Sequence, residues 1–63
     1  MTTGTKYQTY YGNGKEAGVV TISRTTDKSI FVVSSTTNHE HREGINSVKR
    51  YISKGLWKQL NNQ

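Results

Sequence analysis

The chain has no cysteine, no proline and four acidic residues, and its longest apolar run is the four-residue stretch Ile30–Val33. Each shortage excludes something. Without cysteine there is no disulfide to staple a small fold, and the chain suits a reducing compartment, so a cytoplasmic location is expected. Without proline, no position is barred from strand or helix. The apolar run is far short of the roughly 20 residues that cross a bilayer, and no basic start precedes an apolar stretch of signal-peptide length. Neither a membrane nor a secretory route is therefore expected.

Apolar residues make up 30% of the 63 residues, below the roughly 45–50% usual in globular domains. There is room for one small domain, residues 1–63, with 1–5 and 61–63 expected to fray. A chain this short buries only about 60% of the surface its unfolded form exposes. It must rely on a small well-packed core, or on a homodimer that buries a second face.

What is present is positive charge. Nine bases against four acids leave a formal charge of +5, unevenly spread. Gly44–Gln63 holds four bases (Lys49, Arg50, Lys54, Lys58) and no acid, whereas residues 1–43 hold five bases and four acids. Such an excess attracts anions but is silent on fold.

Tyr- and Thr-rich Lys6–Tyr11 reads as a first strand. Gly12-Asn13-Gly14 reads as a turn, with the loop reaching Gly18. The β-branched stretch Val19–Thr25 and the segment Ser29–Ser35 read as two more strands, joined by a hairpin turn centred on Thr26-Asp27 or Asp27-Lys28. Either regular register places Val20 and Ile22 on one face with Phe31 and Val33 as the core face. Val19, Thr21, Ser23, Ile30, Val32 and Ser34 then form the other. Thr37-Asn38-His39-Glu40 fits a helix capping box, and His41, Ile45, Val48, Ile52 and Leu56 follow at helical spacing. Gly44 within this stretch marks either a close approach of helix to sheet or a later helix start near Asn46, and Gly55 either ends that helix or lies within it. The expected fold is α+β: a three-stranded antiparallel sheet followed by one C-terminal helix, β-β-β-α, packed on one face.

If the helix is continuous to Leu60, Arg50, Lys54, Trp57 and Lys58 share its outer face, with Lys49 at the edge of the apolar stripe. Cations serve phosphates, and a tryptophan among them can stack on a base. If instead Gly55 ends the helix, Trp57 turns inward to close the core. In element order the expected fold is similar to plant AP2-type domains and to the small amino-terminal domains of some tyrosine recombinases. That resemblance implies DNA reading by the sheet, with Arg24, Lys28, Lys6, Thr21 and Ser23 as contacts and Tyr7, Tyr10 and Tyr11 beside them.

Other motifs carry less. Tyr10-Tyr11-Gly12-Asn13-Gly14 resembles the YGNGV box of class IIa bacteriocins, but Lys15 replaces the valine and the family's cysteine pair is absent. His39, Glu40, His41 and Glu43 offer metal-ligating atoms, yet on a helix His39 and His41 diverge, and in an extended segment, where they could converge, no third distant ligand is evident, so no metal site is expected. Gly12-Asn13-Gly14-Lys15 lacks phosphate-loop spacing. Nothing positions a catalytic triad, and neither an enzyme nor a cofactor is expected. The sequence therefore reads as a small basic nucleic-acid-binding accessory or regulatory protein, contacting through Lys49, Arg50, Lys54, Trp57, Lys58, Arg24 and Lys28. The alternative is a protein-binding module or inhibitor of phage or bacterial mobile-element type, acting on a larger protein through the apolar outer sheet face of Val19, Ile30 and Val32 or an open strand edge.

Overall fold

The computed structural model describes residues 2–60; the expected fraying of 61–63 lies outside them. The chain runs β1 (Lys6–Tyr10), β2 (Glu16–Thr25), β3 (Ser29–Ser34), β4 (Glu40–Gly44), α1 (Ile45–Ser53) and β5 (Trp57–Gln59). All the strands pair antiparallel in the order β4-β3-β2-β1-β5. This corrects the expected fold: the sheet has five strands rather than three, and the single helix lies between the fourth and fifth. The likeness in element order to AP2-type and recombinase domains falls with it. At the start of the chain, Gly4 N–H donates to Ile22 O and Ile22 N–H donates to Thr5 O, and Thr5 is buried.

The first two hairpins form where turn residues satisfy local donors. In the first, Gly14 takes a φ of +89°, and Asn13 Oδ1 accepts from Lys15 N–H. β2 then begins at Glu16, before Gly18 rather than after it. In the second, the turn centres on Asp27-Lys28, and Thr26 Oγ1 accepts from Ser29 N–H at 3.0 Å.

The decisive local feature is a β-bulge at Ser23. Next to the turn, Thr25 pairs with Ile30 and Arg24 with Phe31; beyond Ser23, Ile22 pairs with Val32 and Val20 with Ser34. One extra residue on β2 shifts the register by one, and a one-residue shift exchanges the faces. The core face is therefore Val20, Ile22, Ile30 and Val32, the last two fully buried. Phe31 and Val33, expected inside, lie half-buried on the other face, and Ile30 and Val32, expected outside, are core. Ser23 fastens the bulge with its side chain: its hydroxyl donates to Glu40 Oε2 at 2.5 Å and lies 3.1 Å from Phe31 O.

Residues 37–40 do not start a helix. Asn38 adopts a left-handed φ of 61°, Thr37 Oγ1 accepts from His39 N–H, and Ser34 and Asn38 close a turn into β4. Thr and Asn serve such turns by the same side-chain bonds with which they cap helices. The helix begins instead at Ile45, whose N–H is satisfied by Lys28 O of the β2–β3 turn. It ends at Gly55 (φ 77°) in a Schellman arrangement: Leu56 N–H donates to Tyr51 O and Gly55 N–H to Ile52 O. The helix thus connects one edge strand, β4, to the other, β5. Val48 points into the core with Ile45 and Tyr51 beside it. Trp57, the first residue of β5, is buried against Tyr7 and Tyr51 at ring separations of 5.5 and 5.7 Å.

Candidate nucleic-acid interface

The helix lies on the inner face of the sheet, and among the described residues nothing covers the outer one. Strand alternation and register place Lys6 and Gln8 of β1, Val19, Thr21 and Ser23 of β2, Phe31 and Val33 of β3, Glu40 and Arg42 of β4, and Lys58 of β5 there. The bulge adds Arg24. None of these residues is buried, and all four bases are exposed. With strands about 4.8 Å apart and about 3.3 Å of rise per residue, Lys58, Lys6, Arg24 and Arg42 form a diagonal band with steps of about 8–11 Å.

The cations are partly held in place. The Arg24 guanidinium lies 4.0 Å from the Phe31 ring centroid, and Lys58 Nζ is 5.4 Å from that of Tyr10. Lys6 Nζ donates to Thr21 Oγ1 at 3.0 Å. One acid, Glu40, stands within the band; Glu16 lies beyond its end, opposite Tyr10. Arg24 Nη2 meets Glu40 Oε1 at 3.5 Å, both side chains being well exposed, a geometry worth little in water. The hydrogen bond from Ser23 holds the Glu40 carboxyl below its ordinary value of 4.5, opposed by desolvation and helped to a lesser extent by Arg24. Because the folded state favours the charged form, this contribution is present above the ordinary glutamate range and is lost as pH falls through the lowered value. Ser23→Ala should move the Glu40 titration upward, as followed by carboxyl-carbon NMR; an unchanged titration would mean that the hydroxyl is not its main partner.

The residues expected from sequence to make contacts do not share one surface. Lys49, Arg50 and Lys54 are exposed at the helix and its C-cap, whereas Lys58 is on the outer sheet face and Trp57 is in the core. Lys28 belongs to the β2–β3 turn, outside the band. Lys6, Thr21, Ser23 and Arg24, named for a sheet-borne interface, do come together. Tyr7 is buried, Tyr11 is exposed in the first turn, and Tyr10 carries Lys58. Arg42 and Phe31 were not among the expected contacts. Arg42 was hidden by reading β4 as helix, and Phe31 by the unseen bulge.

His41 and Glu43, on the inner face of β4, form a pair at 3.2 Å. Among the described residues no group of three or more His, Asp or Glu side chains could hold a metal, and no helix is long and apolar enough to cross a membrane. No protein-family model, curated protein or solved structure matches this chain.

Proposed function

We propose that this chain is a small nucleic-acid-binding protein, accessory or regulatory rather than enzymatic, that lays its outer sheet face on a phosphodiester backbone in the cytoplasm. One observation carries the reading: among the described residues, a sheet face left uncovered aligns Lys58, Lys6, Arg24 and Arg42 against a single carboxylate, Glu40. Phosphates take the cations; Thr21 and Gln8 between them offer hydrogen bonds, and the half-buried Phe31 offers a ring on which an unpaired base can stack. A second reading uses the same face. Val19, Val33 and Phe31 make a modest apolar strip, which suits a protein partner or a second copy of the chain.

Salt separates the two. Each phosphate contact contributes about 0.7–0.9 to the log–log salt slope, so four contacts predict a loss of roughly 50–150-fold in affinity between 50 and 200 mM salt. Fluorescence anisotropy of labelled single-stranded and duplex oligonucleotides measures it. Absence of binding at micromolar protein in 50 mM salt would overturn the proposal.

A further inference from the structure

Beside the helix, on the inner side of the sheet, a cavity of about 340 Å³ opens to solvent, at the lower end of the size range of small-ligand sites. Its lining is unlike the rest of the molecule. The chain has one tryptophan, four tyrosines and one phenylalanine, and the cavity takes Trp57, Tyr51 and Tyr11 and borders Tyr10, whose ring Lys58 Nζ approaches to 5.4 Å. The chain has nine Lys and Arg residues, and none of them lines it. Its one carboxylate is Glu43, with the His41 imidazole beside it.

We propose that this cavity binds an organic cation, an ammonium head group of choline or methylated-lysine type. Aromatic faces attract such cations through the ring quadrupole, most strongly where water is partly excluded. Trp57 and Tyr51 stand 5.7 Å apart with their planes inclined by 30°, forming an aromatic wall. Glu43 supplies the counter-charge: its side chain is about a quarter exposed (26%), and one oxygen meets His41 Nε2 at 3.2 Å. No lysine or arginine lines the cavity, and its one imidazole, His41, already meets Glu43, so the lining favours a cation where the outer face favours an anion. The cavity belongs to the inner face, and its occupancy does not depend on the outer face binding nucleic acid.

Trp57 is the sole tryptophan, so its fluorescence reports the cavity directly. The probes are choline, N-acetyl-trimethyllysine methylamide and 3,3-dimethylbutan-1-ol, the uncharged carbon counterpart of choline. Both cations should give a saturable change, with the neutral alcohol at least about 5-fold weaker than choline. Tighter binding of the trimethyllysine compound would assign the site to a partner protein's side chain, and tighter binding of choline to a free amine. Glu43→Gln should weaken choline by about 5–10-fold and leave the alcohol unchanged. Equal binding of choline and the alcohol to the unaltered protein, or no saturable change with either cation, would overturn the proposal whether or not the variant folds.

Discussion

Ile30→Ala should unfold the domain, whereas Phe31→Ala, the next residue on the same strand, should leave it folded. Ile30 is fully buried in a core whose buried apolar residues number seven. Cutting an isoleucine to alanine there removes about 2–5 kcal/mol, a loss that a 63-residue domain has little stability to absorb. Phe31 lies on the opposite face, half-buried beneath the Arg24 guanidinium. Its truncation forfeits partial burial and an exposed cation–ring contact, about 1 kcal/mol in all. Thermal melts by circular dichroism check both variants. The regular register expected from sequence predicts the reverse order, so the pair tests the Ser23 bulge itself.

The second large effect concerns the band of cations. The combined variant Lys6→Ala, Arg42→Ala, Lys58→Ala should bind oligonucleotides about 100-fold more weakly at 50 mM salt, with the log–log slope reduced by about 2–2.7. Exposed substitutions of this kind usually change stability by about 0.5 kcal/mol or less, so the melting temperature should hardly move. The matching variant on the helix, Lys49→Ala, Arg50→Ala, Lys54→Ala, removes as many charges from the other side of the molecule. It should weaken binding by less than about 5-fold, through the loss of long-range attraction alone. If the helix variant is the more damaging, the contact surface is the helix.

The limits of the sequence are physical and belong to particular residues. β1, β2 and β3 were legible because Tyr, Thr, Val and Ile cluster on either side of the Gly12-Asn13-Gly14 and Thr26-Asp27-Lys28 turns. Their pairing was not, because β3 reads Ile-Phe-Val-Val: both faces are apolar, so alternation alone does not say which is core. The choice rests on Ser23, the bulged residue, whose hydroxyl donates to Glu40, seventeen positions away in the chain. β4 was concealed by Thr37-Asn38-His39-Glu40, where the side-chain bonds that cap a helix close a hairpin instead. β5 is three residues long, too short for any period to show. Gly55 left the end of the helix open, and Trp57 shows which way it resolves: beyond the Schellman turn the chain is extended, so Trp57 faces the core and Lys58 the opposite side. One helical face of bases became two surfaces.

The valine methyls test the central claim most directly, because they divide between the faces: Val19 and Val33 lie outside, and Val20, Val32 and Val48 inside. In a methyl NMR titration with a short single-stranded oligonucleotide at low salt, the Val19 and Val33 signals should shift and broaden while Val32 and Val48 stay in place. Shifts centred on Val48, with Val19 and Val33 unmoved, would contradict the account.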